Sequence, residues 1–341
     1  MRGKSRYLGV VITFVFVGLL AWKIDLHEVA SALASANYIW VIPAVCCTLI
    51  SYLLRTLRWQ SILRPIRPLG FRTLFPVLMI GFMANNLLPA RIGELVRAYA
   101  LGRKTGLSKS LGLATILLER LCDGVSLLVV LGIVALIYPL PTTVREAGTI
   151  AGVVFLLGSI GAFVLLTRQH FAMRVIAFCV RPLPRNLGGR ITSKTLAFVE
   201  GLRVLQRGSD LLMVVFWSAI IWSVEAGSYL LILRGVHPTL ASGTPLLAAL
   251  MMMVMVNLGT LIPSAPGYVG AFQFFGVMAL AAFGVPAGIA LAVAIVSHVS
   301  QWVTVTGIGL LFVARESIGL GGLASAPSAA AEAVAEEPVG L

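Results

Sequence analysis

The sequence predicts an all-α, polytopic membrane protein with about six full spans plus two inverted re-entrant helical hairpins. Hydrophobic residues make up 59% of the 341 residues and charged residues only 11%, which is too few charges to cover a soluble domain of this size. The apolar runs are about 20 residues long, the length that a helix needs to cross a bilayer core of about 30 Å. Basic stretches separate these runs, so we interpret the net charge of +13 as a topological signal and expect no nucleic-acid partner.

The N-terminal part of the chain predicts an anchor, an interfacial helix and a second span. Residues 7–22 form the first apolar run, which we interpret as a retained anchor because the Ala-x-Ala match at residues 34–36 lies a dozen residues beyond it. Residues 24–36 have the polar and apolar alternation of a short interfacial helix. A second span is expected over about residues 38–57. It ends in a basic stretch that contains Arg55, Arg58, Arg64, Arg67 and Arg72.

Proline residues interrupt two of the later apolar runs. Residues 71–88 are apolar, Pro89 interrupts them, and a polar helix is expected to follow to about Lys104. Residues 244–313 are also apolar, with breaks at Pro263, Pro266 and Pro286. Between these two regions, long apolar runs that predict full spans are centred near Leu121, Phe155 and Ile220.

The basic residues predict the orientation. Counted from a cytoplasmic N-terminus, only Lys23, Arg145 and Arg234 fall on the outer side, and the other 23 basic residues fall on or near the inner side. We therefore expect a multi-pass protein of the cell (inner) membrane with both termini in the cytoplasm. Residues 168–208 are interpreted as a basic cytoplasmic interfacial segment, and the tail, residues 318–341, is expected to be disordered.

An internal repeat is the most informative feature of the single transmembrane domain, residues 1–317. Residues 88–94 match residues 262–268 with proline and glycine in register, which indicates a first unit at about 71–138 and a second at about 244–313. Chance similarity between two apolar segments is the alternative. After a four-residue offset, the aligned pairs are Gly106 with Gly284, Ala114 with Ala292, Glu119 with Ser297, Arg120 with His298, and Asp123 with Gln301.

The proline-glycine breaks suggest re-entrant hairpins, because lipid tolerates non-helical backbone only where protein or a cavity surrounds it. If each broken unit enters and leaves on one face, three full spans separate the two units. An odd number of crossings places the hairpins on opposite faces, so the repeat is predicted to be inverted. The residues assigned to the breaks are Asn86, Pro89, Gly93, Pro263, Pro266, Gly267 and Gly270.

Charges inside spans cost roughly 2.5 to 3.5 kcal/mol each, so intramembrane charges are the first candidates for function. Glu119 and Asp123 are four residues apart on one helical face, where like charges repel unless a cation or proton lies between them. We expect a network in which Arg91, Arg97 and Arg120 balance Glu94, Glu119 and Asp123. The alternative is a salt-bridge cluster that only locks the hairpin to the span. Glu225 is a further intramembrane acid.

The second unit offers polar but mostly uncharged candidates. These candidates are Ser264, Tyr268, His298 and Gln301. Together with the charged residues of the first unit, they are predicted to form a network that binds a lipid headgroup or an ion. The helices that restart after Pro89 and Pro266 point N-terminal amides inward, an arrangement that suits an anion such as phosphate. The asparagines Asn85, Asn86 and Asn257 are expected to satisfy backbone groups that the breaks leave free. No catalytic motif, nucleotide-binding loop or metal-ligand spacing is present, so we expect a protein that is not an enzyme, with no cofactor and no metal.

Three ordered motifs carry a family resemblance. Residues 86–97, 118–123 and 262–270 resemble the flippase-like transmembrane region of lysylphosphatidylglycerol synthases, and the similarity extends from about Ser5 to Arg315. In that family this region is associated with moving lipid between leaflets, whereas a separate soluble domain, which has no counterpart here, performs the synthase reaction. The resemblance therefore implies lipid movement without the synthase activity.

Three hypotheses follow for the function. The preferred one is a flippase or facilitator that moves an anionic phospholipid, glycolipid or polyprenyl-phosphate lipid between leaflets, with membrane lipids as its partners. The second is a non-transporting accessory or scaffold subunit that binds enzymes of glycolipid or cell-envelope synthesis. The third is a membrane transferase that uses Glu119 or Asp123 as a base.

Overall fold

The computed structural model describes residues 12–20, 24–88, 92–142, 145–146, 148–149, 152–153, 156–157, 208–239, 244–262 and 265–315. All regular secondary structure within these ranges is helical. The helices are α1 (Leu26–Ser35), α2 (Val41–Leu63), α3 (Phe71–Leu87), α4 (Gly93–Thr105), α5 (Lys109–Ile137), α6 (Gly208–Val236), α7 (Thr244–Gly259), α8 (Ala271–Ala281) and α9 (Ala287–Arg315). Residues 12–20 are also helical, and short 3₁₀ helices cover Tyr38–Trp40 and Pro266–Tyr268.

The all-α fold of a polytopic membrane protein is confirmed. In the part of the chain that the structure describes, four helices are long and apolar enough to cross a bilayer, namely Tyr38–Leu63, Lys109–Ile137, Leu212–Val236 and Ala287–Arg315. Two shorter apolar helices lie at Thr244–Gly259 and Pro266–Ala281. The total of six spans stays a prediction. The basic segment 168–208 lies outside the described residues except for residue 208, where α6 begins, and the tail 318–341 lies wholly outside them.

Local side-chain chemistry explains several helix ends. The Asp25 carboxylate caps α1 by accepting a hydrogen bond from the His27 amide at 2.8 Å. Helix α5 begins after Ser108, whose hydroxyl accepts from the Leu111 amide at 3.4 Å. Helix α4 ends at Thr105, and Gly106, which follows it, has a left-handed φ of 71° that glycine adopts without steric cost. The predicted interfacial helix and the polar helix after the first break are thus both present, as α1 and α4.

Helix α2 is longer than the sequence pattern predicted. The predicted span ends at residue 57, whereas α2 continues to Leu63. Arg55 and Arg58 therefore lie inside a buried helical face, with exposed fractions of 6% and 0%. The predicted end of the span at about residue 57 was wrong, because Arg58 continues the helix and pairs, like Arg55, with acids inside the helix bundle.

The two predicted units have the same order of helices. The first contains α3, α4 and α5, with 17, 13 and 29 residues. The second contains α7, α8 and α9, with 16, 11 and 29 residues. The aligned glycines Gly106 and Gly284 both have left-handed backbones, with φ of 71° and 75°, and each precedes the long helix of its unit. Whether these units are inverted and re-entrant stays a prediction.

Packing brings the two units together. Helix α3 packs against α4 within its own unit and against α9 of the other unit, while α7 packs against α8, and α8 against α9. Helices α2 and α6 form an extensive contact beside them. The 3₁₀ helix Pro266–Tyr268 also contacts α3, and a Cβ added to Gly267 would lie 3.3 Å from the Asn86 carbonyl oxygen. The chain just before the first break therefore touches the chain just after the second.

The N-terminal helical segment supports the second break. The Thr13 hydroxyl accepts a hydrogen bond from the Ala265 amide at 2.9 Å and donates to the Val269 carbonyl at 3.3 Å. Further along the second unit, the Glu28 carboxylate of α1 accepts from the Gly288 amide at 2.9 Å and caps the start of α9. Elements that precede the repeat thus hold both the loop and the long helix of its second unit.

Candidate functional site

A cavity of about 330 Å³ lies between the two units and is lined by both. Three aligned pairs of the repeat contribute to it, and each pair has one member in each unit. These pairs are Glu94 with Tyr268, Arg120 with His298, and Asp123 with Gln301. Helices α2 and α6 complete the wall with Arg55, Trp222 and Glu225. The remaining lining is largely aromatic and aliphatic, which is typical of a ligand pocket with a few fixed polar groups.

Arg58 lies at the centre of a buried ion cluster next to this cavity. One guanidinium nitrogen, Nη1, lies 2.7 Å from Asp123 Oδ1 and donates to the Ser218 hydroxyl at 2.9 Å. The other, Nη2, lies 3.7 Å from Glu119 Oε1. Arg58 thus bridges Glu119 and Asp123, the two carboxylates that the sequence places on one helical face, where they would repel each other. Because its side chain is completely buried, lies between two carboxylates and donates through Nη1 to both Asp123 and Ser218, we assign it to the framework of the site.

Arg97 joins helix α4 to the same cluster. Its Nη1 lies 2.7 Å from Glu119 Oε2, and its guanidinium carbon lies 3.6 Å from the centre of the Trp59 ring. The ring is fixed in turn, because Trp59 Nε1 donates to the Thr115 hydroxyl at 3.1 Å. Glu119 is therefore enclosed by Arg97 and Arg58 and does not line the cavity. These contacts lock α4 to α2 and α5.

Arg55 is held more loosely than Arg58. Its two terminal nitrogens each lie 3.5 Å from an acid, one from Asp123 Oδ2 and the other from Glu225 Oε2. Its guanidinium carbon lies 4.9 Å from the centre of the Trp222 ring. Glu225 Oε2 also accepts a short hydrogen bond of 2.6 Å from the Ser51 hydroxyl. Arg55 thus connects the acid of α5 with the acid of α6 at the cavity wall.

Arg120 is the most exposed member of the cluster, with 28% of its side chain accessible. Its Nη2 lies 3.4 Å from Asp123 Oδ2, and its guanidinium carbon lies 5.4 Å from the centre of the Phe82 ring. Among the described residues, the buried donors Arg120 Nε and Trp222 Nε1 have no hydrogen-bond partner, although both side chains line the cavity. Unsatisfied buried donors are unusual in proteins, so these two groups mark the cavity wall as a candidate binding site.

The ion network differs in composition from the predicted one. Arg97, Arg120, Glu119 and Asp123 are members, as expected, but Arg55, Arg58 and Glu225 also belong to it. The sequence does contain a pattern that indicates a buried role for Arg55 and Arg58. Thr48, Ser51, Arg55 and Arg58 recur every three to four residues along α2, which is the spacing of one helical face. A polar stripe on an otherwise apolar helix indicates a partner inside the bundle.

His298 connects the second break to α9. Its Nδ1 lies 2.9 Å from Gln273 Nε2, and Gln273 Oε1 accepts from the Gly270 amide at 2.8 Å. Its ring stacks on Phe272 with centroids 4.4 Å apart. The loop before α8 is tightly constrained, since Gly267 and Gly270 have positive φ and Tyr268 has a φ of 61°, which is rare for a residue with a side chain. Backbone outliers of this kind cluster at functional sites.

The first break is closed by a side-chain cap. The side-chain oxygen Oδ1 of Asn85 accepts a hydrogen bond from the Gly93 amide at 2.8 Å. The sequence predicted this role for Asn85, because the break leaves backbone groups such as this amide without a helical partner. Asn86 instead donates to the Thr306 hydroxyl on α9 at 3.0 Å, and Asn257 donates to the Met253 carbonyl of its own helix at 2.8 Å. The amides of Gly93 and Gly270 are therefore already bonded to side chains. These two amides are thus occupied, and anion binding by the N-termini of the restarted helices stays a prediction.

Four predicted site residues fall outside the described part of the chain, namely Pro89, Arg91, Pro263 and Ser264. Pro266 begins the 3₁₀ helix after the second break. Gly93 approaches α3 so closely that an added Cβ would lie 2.1 Å from the Gly81 carbonyl oxygen. No group of three or more potential metal ligands occurs within the described ranges.

Comparison with known proteins identifies the family. The profile described as the lysylphosphatidylglycerol synthase TM region matches residues 6–309, which is nearly the whole chain. The chain belongs to this family. Membership supports a multi-pass membrane protein with a lipid-related function. The resemblance seen in the three sequence motifs is thereby confirmed.

Two proteins are similar to this lysylphosphatidylglycerol synthase TM family member over most of its length. A UPF0104 membrane protein of Methanothermobacter thermautotrophicus is 26% identical over 326 residues, which cover 91% of this chain and 95% of the relative. Glycosyltransferase AglD of Haloferax volcanii is 27% identical, over 90% of this chain but only 54% of its own length. The chain thus spans about half of AglD. No solved structure shows significant similarity to the chain.

Proposed function

We propose that the protein is a flippase or facilitator that moves a lipid with an anionic headgroup between the two leaflets. The observation that carries this proposal is the cavity of about 330 Å³, which both units line and in which Arg55 and Arg120 lie beside three acids, Glu94, Asp123 and Glu225, in a lining that is otherwise largely aromatic and aliphatic. Guanidinium groups bind phosphate through strong charge-assisted hydrogen bonds. The acyl chains stay in the surrounding lipid while the headgroup passes through the cavity.

The contribution of both units to one cavity supports a mechanism of alternating access. In transporters built from repeated units, the substrate binds between the units, and one unit rocks against the other around the fixed site. The aligned pair Arg120 and His298 fits this arrangement, because each member comes from the long helix of its own unit and both line the cavity. We propose that the units are inverted and that both termini are cytoplasmic, in an inner cell membrane.

The cargo is proposed to be an anionic phospholipid, glycolipid or polyprenyl-phosphate lipid. The family name connects the chain with a phosphatidylglycerol pathway, and the name of AglD connects it with glycosyl transfer. The acids most suitable as catalytic bases, Glu119 and Asp123, are each paired with more than one arginine. We therefore propose movement of a lipid without chemical conversion.

Reconstitution into vesicles tests this proposal. Purified protein is reconstituted with fluorescently labelled phosphatidylglycerol, and the label that reaches the outer leaflet is quenched with a membrane-impermeant reductant. Loss of one charge-assisted hydrogen bond costs about 1.5–3 kcal/mol. We therefore expect Arg55→Gln and Arg120→Gln each to slow lipid movement about ten- to hundredfold.

Arg64→Gln is the matched control, because Arg64 is an exposed arginine at the end of the same helix as Arg55. It should move lipid at the wild-type rate. Equal movement in empty vesicles and in vesicles with protein would contradict the proposal and favour the accessory-subunit hypothesis. Release of a modified lipid would favour the transferase.

A further inference from the structure

Of the three acids that form ion pairs in the described cluster, Glu225 has the fewest arginine partners. Asp123 lies within 3.5 Å of three arginines, namely Arg55, Arg58 and Arg120. Glu119 lies between Arg97 and Arg58. Within the described residues, Glu225 pairs only with Arg55, at 3.5 Å, although 93% of its surface is buried. Any molecule that takes Arg55 leaves Glu225 without a counter-ion.

Arg55 is also the arginine that an incoming headgroup would recruit most easily. It lines the cavity, whereas Arg58 and Arg97 do not. Its contacts to both acids are 3.5 Å, longer than the charge-assisted bonds of about 2.7–2.9 Å that hold Arg58 and Arg97. A phosphate oxygen in the cavity therefore competes with Asp123 and Glu225 for this guanidinium.

The described cluster and cavity are balanced in charge before a ligand arrives. Four arginines, Arg55, Arg58, Arg97 and Arg120, face four acids, Glu94, Glu119, Asp123 and Glu225. Binding of a monoanionic phosphodiester adds one buried negative charge. An unpaired carboxylate in a buried apolar site favours its protonated form, because desolvation penalises the charge.

We propose that Glu225 takes up one proton from solution when an anionic headgroup binds Arg55, so that lipid and proton occupy the cavity together. This proposal rests on the proposed function, because it adds a proton as the ion that binds together with the lipid in the same cavity. The charges balance, because the phosphate brings one negative charge and the proton one positive charge. No bond of the lipid is made or broken.

Ser51 is placed to tolerate this change. Its hydroxyl donates to the Glu225 carboxylate at 2.6 Å. A hydroxyl both donates and accepts, so the same contact persists with the proton on the carboxyl group and the serine as acceptor. Arg55 Nε lies 3.4 Å from the Ser51 oxygen, which keeps the serine beside the exchange.

Several other ionisable groups lie near Glu225, on its own helix, on α2 and across the cavity. On α2 these are Cys47, Tyr52 and Arg55, and on α6 it is Tyr229. Across the shared cavity lie Glu94 of α4, Arg120 and Asp123 of α5, Tyr268 of the loop before α8, and His298 of α9. Asp123 keeps Arg58 and Arg120 when Arg55 moves, and His298 keeps its contact with Gln273. Glu225 is therefore the group that loses its partner.

Proton uptake can be measured directly during binding. The full-length protein in neutral detergent is titrated with dioctanoyl-phosphatidylglycerol in weakly buffered solution that contains a pH indicator. Wild type should take up close to one proton per lipid bound. By linkage, its affinity should increase as pH falls, by up to tenfold per pH unit, because the bound state holds the extra proton.

Glu225→Gln keeps the shape of the side chain and its contact with Ser51 but cannot titrate. We expect this variant to take up no proton, to bind the lipid more tightly because Arg55 is released, and to lose the pH dependence of binding. Glu225→Asp should restore proton uptake, which a merely structural role of the carboxylate would not require. Glu146→Gln, at an exposed glutamate, is the control and should match wild type.

The outcomes separate this inference from the proposed function. Lipid movement in vesicles without proton uptake by the wild type would overturn the inference alone. Wild-type proton uptake by Glu225→Gln would overturn it as well. No lipid binding and no lipid movement by the wild type would overturn the proposed function itself.

Discussion

The guanidinium carbon of Arg97 lies 3.6 Å above the ring of Trp59, while Nη1 of the same group lies 2.7 Å from Glu119. The two contacts come from different helices, α2 and α5, and Arg97 itself belongs to α4. A single buried side chain thus fixes the short polar helix of the first unit to two long helices. A salt-bridge cluster that locks the first hairpin to the neighbouring span was one alternative that the sequence left open, and the contacts of Arg97 are of this kind.

Removal of Arg97 should destabilise the fold. Breaking a buried ion pair by deleting one partner costs about 3–5 kcal/mol, because Glu119 keeps its charge without that cation. We expect Arg97→Ala to lower the unfolding free energy in detergent by this amount. Arg103→Ala, at an exposed arginine of the same helix, is the control and should change it by less than about 0.5 kcal/mol. Equal stability of the two variants would show that the buried contacts contribute nothing.

The close approach of α3 and α4 should make Gly93 intolerant of a side chain. An alanine Cβ there would lie 2.1 Å from the Gly81 carbonyl oxygen and 2.4 Å from Asn85 Oδ1, the atom that caps α4. We expect Gly93→Ala to cost at least the 1–3 kcal/mol typical of overpacking. Gly132→Ala, inside the C-terminal part of α5 with open space around it, should be neutral or stabilising. Thermal unfolding of both variants measures the difference.

The contact between the two breaks can be tested through a matched pair of left-handed glycines. Gly267 and Gly284 have φ of 72° and 75°, so alanine strains the backbone by roughly 1–2 kcal/mol at either site. Only at Gly267 would the new Cβ meet neighbours, at 2.9 Å from Trp302 Nε1 and 3.3 Å from the Asn86 carbonyl oxygen. We expect Gly267→Ala to lose more stability than Gly284→Ala, because it adds a steric clash to the same backbone strain, and we expect slower lipid movement only in Gly267→Ala. Comparable transport by both variants would argue against a role for the contact.

Glu28 should contribute to the stability of α9 although it lies in α1. Its carboxylate accepts from the Gly288 amide at 2.9 Å and thereby caps the helix. Loss of a capping side chain costs about 0.5–2 kcal/mol, so we expect Glu28→Ala to lower the unfolding free energy by that amount. Glu28→Gln retains the oxygen acceptor and should lose less. Chemical denaturation in detergent distinguishes these variants.

The features that the sequence predicted well are those encoded locally. Proline and glycine mark the ends of α3, α7 and α9, and hydropathy alone identifies the apolar helices. The aligned glycines Gly106 and Gly284 share a left-handed backbone because each terminates a short helix before a long one. Such signals need no knowledge of distant partners.

The features that the sequence did not predict depend on distant partners. The length of α2 was underestimated because an arginine near the end of an apolar run has the same local pattern whether it extends to the membrane surface or pairs inside the bundle. Arg58 pairs with Asp123, which lies 65 residues further along the chain. The role of Arg55 likewise depends on Glu225. The sequence identified Glu225 as an intramembrane acid but gave no indication of its partner.

The buried cluster also bears on biosynthesis. Ser51 and Glu225 are 174 residues apart, so α2 leaves the ribosome long before its acidic partner on α6 exists. At translation rates of about 5–20 residues per second, this interval lasts roughly 10–35 seconds. Asp123, the other acid beside Arg55, is synthesised before Glu225, so Arg55 has only one of its two acidic partners until α6 is made. Because a charge inside a membrane helix is costly, α5 is the first helix whose arrival can neutralise Arg55.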